Sequence, residues 1–352
     1  MTTKNSDRVR DAMTKALRKA QGDDAVVNLR GNGAAVEALP SGIDVLDGFI
    51  IGCGGWPVGR IAEVFGHEGS GKSSLAFVAL AAVQRMSGMG VLLETEHAFD
   101  PARARVLGVD TDALVMLQPD TLEDVLTTAE TILDTLPDKH PAVIVWDSVA
   151  ATPTRAEAEH GVVPDGEGMA EYARVMSRAL RVMCGKLARK RAALLCVNQT
   201  RSKPGIAFGN PETTPGGNAL KFYASLRINI SPGTAVKDGA AMVGKDLLVS
   251  AIKNKVAPPF RSARVRLRFD GAVGFDNPWS TVNFAKDRGV IPESSKVTDA
   301  NRLKALTALS ALPDWRAPAQ APAAPAAPAA PAAPPAAPVA PVNDDDDVPG
   351  GV

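Results

Sequence analysis

Residues 66–73 read GHEGSGKS, the G-x-x-x-x-G-K-[ST] spacing of a phosphate-binding loop. The apolar run IAEVF precedes it and SSLAFVALAAVQ follows, so the sequence predicts strand, loop and helix in the order the motif needs. Gly66, Gly69 and Gly71 let backbone N–H groups turn around phosphates, and the helix N-terminus adds the positive end of its dipole. Lys72 would reach the β- and γ-phosphates, and Ser73 would offer its hydroxyl to Mg²⁺. His67, Glu68, Ser70 and Ser74 complete the nucleotide-binding set.

Other polar residues fall at the ends of apolar runs, where ligands collect in open α/β sheets. AVIVWDS ends in Asp147, a carboxylate suited to Mg²⁺ or its water. VLLETEHAFDP puts Glu94 and Glu96 beyond another strand end, and either could orient or deprotonate an attacking water. His97 beside them lacks partner spacing and reads as structural. ALLCV ends in Asn198 and Gln199, then runs into RSKPGIAFGNPETTPGG at 201–217. Its prolines and glycines exclude a helix or regular strand, and loops of that length are functional or disordered. An amide that feels a γ-phosphate and leads into such a loop links nucleotide state to loop order, so the loop is expected to be a nucleotide-gated binding element.

The elements that must position these groups follow from periodicity. Short apolar runs (IAEVF, VLLE, ALVML, AVIVW, ALLCV) alternate with helical stretches at 72–86, 121–136 and 168–190, which predicts an α/β fold around a mainly parallel sheet. FYASLRINI, KDLLVSAIKN and RSARVRLRF alternate instead and read as an antiparallel extension. Val9, Met13, Ala16, Leu17 and Ala20 predict an amphipathic helix over 6–20 that docks on another subunit. Residues 281–312 suggest a short helical piece. From Ala317 a Pro-Ala repeat ending in Asp344–Asp347 predicts a disordered arm with an acidic tip. The expected organisation is 1–35 helix and linker, 36–270 core, 271–316 a shortened C-terminal region, and 317–352 the arm.

At 352 residues and 45% hydrophobic the chain can bury a sizeable core. No apolar run is long enough for a bilayer, and the polar N-terminus lacks secretory features, so a cytoplasmic protein without a membrane partner is expected. Cys53, Cys184 and Cys196 lack CxxC spacing and read as reduced thiols in or near the core. The formal net charge of +0 hides a segregation: from Arg174 to Lys203 every charged residue is basic. Such a stripe suits a phosphate backbone or a solvated helix face.

GHEGSGKSS, ETEHAFDP, VIVWDSVAA, VNQTRSKPGIAFGNPETTPGGNALKFYAS and IKNKVAPPF together closely resemble the bacterial RecA recombinase family, over about residues 40–270. The resemblance implies a RecA-type ATPase core that uses ATP and Mg²⁺. It assigns Lys72 and Ser73 to phosphate and metal, Asp147 to the metal shell, Glu96 to water activation and Gln199 to sensing the γ-phosphate. Asp100 and Arg103 fall at the nucleotide; Arg103 replaces a family aromatic that stacks on adenine, and a guanidinium can also stack. HGVVPDGEGM, ending in Met169, matches a first DNA-binding loop and 201–217 a second. Arg174, Arg181, Arg201, Lys203, Gly216, Gly217 and Asn218 become DNA contacts, mostly to backbone phosphate. Lys253 and Lys255 match a pair that reaches the neighbouring subunit's ATP. Phe222 matches an interface aromatic, although its alternating stretch alone suggests core.

The implied function is a DNA-dependent ATPase that forms a homo-oligomeric helical filament on single-stranded DNA. It would pair that strand with homologous double-stranded DNA, exchange strands, and trigger self-cleavage of the SOS repressor. A regulatory paralogue without strand exchange and a ring helicase of the same superfamily are the alternatives.

Overall fold

The structure is a computed structural model describing residues 2–22, 36–161, 167–202, 212–270 and 274–316. The chain opens with α1 (Thr2–Gln21), whose Val9, Met13 and Leu17 are exposed along one face. A small ribbon of β1 (Ala38–Leu39) and β2 (Trp56–Pro57) brackets a π-helical turn, Leu46–Ile51. Then come β3 (Arg60–Gly66), α2 (Lys72–Arg85), β4 (Met89–Glu94), α3 (Pro101–Val106) and β5 (Val115–Leu117). They continue through α4 (Leu122–Thr135), β6 (Ala142–Asp147), α5 (Arg155–His160), α6 (Glu167–Leu187) and β7 (Ala192–Gln199). A short ribbon pairs β8 (Arg201–Ser202) with β9 (Glu212–Thr213), and α7 (Gly217–Tyr223) follows. Last are β10 (Leu226–Asp238), β11 (Ala241–Asn254), β12 (Ser262–Arg268), β13 (Gly274–Phe275), α8 (Asn277–Asp287) and α9 (Asp299–Leu309).

Among the described residues the main sheet has nine strands in the order β13-β12-β11-β10-β3-β7-β6-β4-β5. From β10 to β5 neighbours run parallel, and β11, β12 and β13 add the antiparallel extension. The inner parallel strands β3, β4, β6 and β7 are buried on both faces, so alternate residues enter opposite cores, while the edge strand β5 is exposed. Val143, Val145, Leu195 and Val197 face the layer containing Leu75, Leu80 and Val83 of α2. Ile144, Trp146, Leu194 and Cys196 face Leu126 of α4 and Met176 and Leu180 of α6. β3, β4, β6 and β7 therefore end at one edge, which gathers Gly66, Glu94, Asp147 and Gln199.

Two expectations change in detail. FYASLRINI is not one strand: Phe222 and Tyr223 finish α7, and β10 starts at Leu226. Phe222 is 71% exposed, because on a short surface helix it has no alternating face to bury. The segment 281–312 holds two helices, α8 and α9, each with a side-chain N-cap, from Asp276 and Thr298. Residue 317 onward lies outside the described residues. Cys53 and Cys184 are half-buried and Cys196 is buried.

A carboxylate ties the C-terminal helices to the core. Asp44 accepts from Arg302 Nε at 2.6 Å, Arg302 Nη2 at 2.9 Å and Thr281 Oγ1 at 3.0 Å, while its N–H donates to Asn277. Trp315 closes the same seam over Gly48, where a Cβ would lie 2.5 Å from the indole. Asp44→Asn should leave Arg302 half-buried without its counter-charge and cost about 3 kcal/mol, the lower end for breaking a buried pair. Urea unfolding monitored by tryptophan fluorescence would read it.

Candidate active site

The phosphate loop spans the turn from β3 to α2. Gly69 and Gly71 hold φ of 65° and 89°, the left-handed region that favours glycine. At Gly66 a Cβ would lie 2.2 Å from the Ile230 carbonyl oxygen, so neighbouring β10 admits only glycine there. His67, Glu68 and Gly69 are exposed at the loop's crest, whereas Ser70 and Ser74 are buried. The Lys72 ammonium donates to the His67 carbonyl at 2.8 Å. Burial pulls it below the ordinary lysine range, and the Asp147 and Glu96 carboxylates oppose that shift.

A cleft of about 370 Å³ opens beside this loop. Gly69, Gly71, Lys72, Ser73, Ser74 and Asp147 line it together with Glu94 and Glu96. Asp100 and Arg103 also line it; Asp100 caps α3 by accepting from Ala102 and Arg103 N–H groups at 2.8 and 3.1 Å. Arg103 Nη2 donates to Ser74 Oγ at 2.7 Å. Phe77 and Phe99, edge to face at 5.8 Å, supply apolar surface.

The residues fit a magnesium nucleotide. The Ser70 hydroxyl is buried with no hydrogen-bond partner among the described residues, inside a loop built to meet oxygen-rich ligands. The Ser73 hydroxyl pairs with the Asp147 carboxylate, and two oxygen donors side by side suit a hard cation. Burial raises Asp147 from its ordinary 3.8 to about 6 against that hydrogen bond, with Glu96 adding a smaller push.

The two glutamates differ in occupation. Glu94 Oε1 accepts from the Glu96 and Ala98 N–H groups at 3.0 and 3.1 Å, and its Oε2 from Gln118 at 2.8 Å, so it holds the turn after β4. Glu96 is exposed to the cleft; its Oε1 accepts from Ser148 Oγ and, at 3.4 Å, from Gln199 Nε2. Thr200, the next residue, donates its N–H to the Gly66 carbonyl at 3.1 Å. The loop after β7 thus starts on the phosphate loop itself.

The family model for the RecA N-terminal domain matches residues 8–274. The chain belongs to the RecA family. Protein RecA of Francisella tularensis subsp. novicida (strain U112) is 39% identical over 274 residues, covering 77% of this chain and 75% of that protein. The same identity and coverage hold for Protein RecA of F. tularensis subsp. tularensis (strain WY96-3418) and subsp. holarctica (strain FTNF002-00 / FTA). Membership in the RecA family supports a recombinase-type function in general, with nucleotide and DNA as its ligand classes.

The RecA-type positions assigned to DNA divide in space. Arg201, Gly216, Gly217 and Asn218 line one cleft of about 630 Å³ with Gly168, Tyr172 and Lys221. Gly216 and Gly217, at φ of 94° and 65°, let α7 approach α6; a Cβ on Gly217 would lie 3.2 Å from Ala173 Cβ. Arg174 lines a different groove, between α4 and α6, with Arg178; Arg181 is exposed farther along α6. Met169 falls in the first turn of α6, and Lys203 lies outside the described residues, as do 162–166 and 204–211. Lys253 donates to the Lys221 and Phe222 carbonyls at 2.5 and 3.0 Å, bracing the end of α7 in its own chain, and Lys255 is exposed beside it.

Sequence reasoning missed the cleft's far wall: Lys245 of β11, Leu267 of β12 and Phe269 just beyond it. Their alternating strands signalled only an edge of the sheet.

The raised Asp147 sets a pH dependence. The folded carboxyl binds its proton more tightly than an unfolded one, so its contribution to stability falls as pH rises from 3.8 to about 6. A Mg²⁺ ion held by Asp147 would need the ionised form, so Mg²⁺-dependent nucleotide affinity should weaken as pH drops below about 6. Titrating fluorescent nucleotide with Mg²⁺ across that range should show the decline in the wild type and lose it in Asp147→Asn. With Glu96 in the water-activating role that the family resemblance implies, Glu96→Gln should retain nucleotide affinity while slowing ATP hydrolysis by about two orders of magnitude, read by phosphate release.

Proposed function

We propose that this chain is a DNA-dependent ATPase that assembles as a helical filament on single-stranded DNA, pairs it with homologous duplex and exchanges strands. The observation that carries this reading is the contact between Gln199 and Glu96. Gln199 ends β7, reaches the cleft carboxylate at 3.4 Å, and stands two residues before the segment that frames the second cleft. At the other end of that segment the Pro215 carbonyl accepts from Asn198 Nδ2 at 3.0 Å. Entry and exit of the loop are therefore fastened within two adjacent residues, both at the strand end nearest the nucleotide.

In this reading Lys72 leaves the His67 carbonyl to neutralise the β- and γ-phosphates. Ser73 and Asp147 would hold Mg²⁺, which would supply positive charge to screen the phosphates. Glu96 orients the attacking water and accepts its proton, with Ser148 fixing the carboxylate. Gln199 exchanges its contact with Glu96 for the γ-phosphate, and the movement passes into the loop. Arg201, Gly216, Gly217 and Asn218 meet DNA chiefly at backbone phosphate, giving binding without sequence preference. Lys253 and Lys255 complete the neighbouring subunit's site, and the exposed stripe on α1 covers part of that neighbour. On the family resemblance, the filament also promotes SOS-repressor self-cleavage in the cytoplasm.

The test is strand exchange from a circular single strand to linear duplex. ATP should support joint molecules with homologous duplex and none with heterologous duplex. Unwinding that ignores homology would identify a helicase, and nucleotide binding without joint molecules a regulatory paralogue.

A further inference from the structure

Three cations line the nucleotide cleft, and each donates to a neutral oxygen. Lys72 is on the His67 carbonyl, Arg103 on the Ser74 hydroxyl, and Lys245 on the Gly69 carbonyl. Lys72 and Arg103 were expected from the sequence. Lys245 arrives from β11, 176 residues away from Gly69.

Its position is set by the sheet. Lys245 pairs with Leu267 on β12 and Ala235 on β10, and its ammonium lies 5.8 Å from the centroid of Phe269. Leu267 and Phe269 share the cleft with it, so the side chain crosses an apolar wall before reaching the phosphate loop. The surroundings disfavour its charge: burial lowers the Lys245 pKa, and Arg103 lowers it further. A peptide carbonyl compensates an ammonium only partly, since it carries no net charge. A polyphosphate in the cleft would offer a full counter-charge to both cations.

We infer that Lys245 is a further nucleotide-binding residue, one that exchanges the Gly69 carbonyl for the polyphosphate when nucleotide enters. The loop carbonyl is its resting acceptor, as the His67 carbonyl is for Lys72. Gly69 presents that acceptor without obstruction, because even a Cβ there would stand 4.0 Å from the ammonium. The inference rests on the cleft being the ATP site.

Equilibrium binding of fluorescent ADP and ATP, with adenosine as competitor, tests it on the full-length protein. Lys245→Met should weaken both nucleotides about tenfold, the scale of one charge-assisted contact, and leave adenosine competition unchanged. Lys245→Arg should restore most of the affinity, and the urea midpoint of the nucleotide-free Met variant should match the wild type. Unchanged ADP and ATP affinity in Lys245→Met would overturn the inference while leaving the ATP site standing, as would a loss shared equally by adenosine. A wild-type protein that binds neither nucleotide would remove both.

Discussion

A buried carboxylate anchors the working edge of this protein. Glu63 lies on the central strand β3, three residues before Gly66, and is 0% exposed. A charge so placed needs a counter-charge and hydrogen bonds. Arg227, directly opposite on β10, supplies the first, and Asn198 on β7 donates at 2.9 Å. The same two partners reach outward: Asn198 to the Pro215 carbonyl, and Arg227 to Thr214 Oγ1 at 3.4 Å. Satisfying one carboxylate therefore fixes β3 against both neighbours and pins the stretch that leads into α7. The nucleotide cleft and the second cleft share a single support.

Much of this was legible in the sequence, for identifiable reasons. The phosphate loop is local chemistry, in which the spacing of glycines, lysine and hydroxyl within eight residues is itself the signal. Asp147 and Gln199 were legible because parallel strands bring their carboxyl ends to one edge. Glu94 and Glu96 could not be told apart by spacing. Glu94 is occupied by backbone N–H groups of the turn, which only coordinates reveal. Asp100 shows the opposite case: it lines the cleft, yet its carboxylate also caps α3, a duty written in the D-P pair that opens that helix.

The far wall of the cleft was not legible. Lys245, Leu267 and Phe269 reach the cleft through pairing of β10, β11 and β12, and no local pattern states which residues of such strands reach a loop on another element. Phe222 misled for a related reason, since the aromatic pair Phe222–Tyr223 runs directly into the alternation of β10 while Gly217–Tyr223 turns as a helix. The Arg174 to Lys203 stripe read as one surface. Folding sends Arg174 and Arg201 to different grooves, because the helix ends before β7 crosses the core.

The three cysteines bear on redox chemistry. The thiolate, not the thiol, is the nucleophile that attacks a peroxide. Burial pushes Cys53 up to about 11, so at pH 7 it is held as the thiol. Burial also raises Cys184, and Cys196, enclosed between β-strands and α6, goes higher still. Oxidants that lesion DNA would thus find no ready thiolate among the three cysteines of a protein whose family acts on that DNA. Its thiols are kept inert by the same packing that builds the sheet.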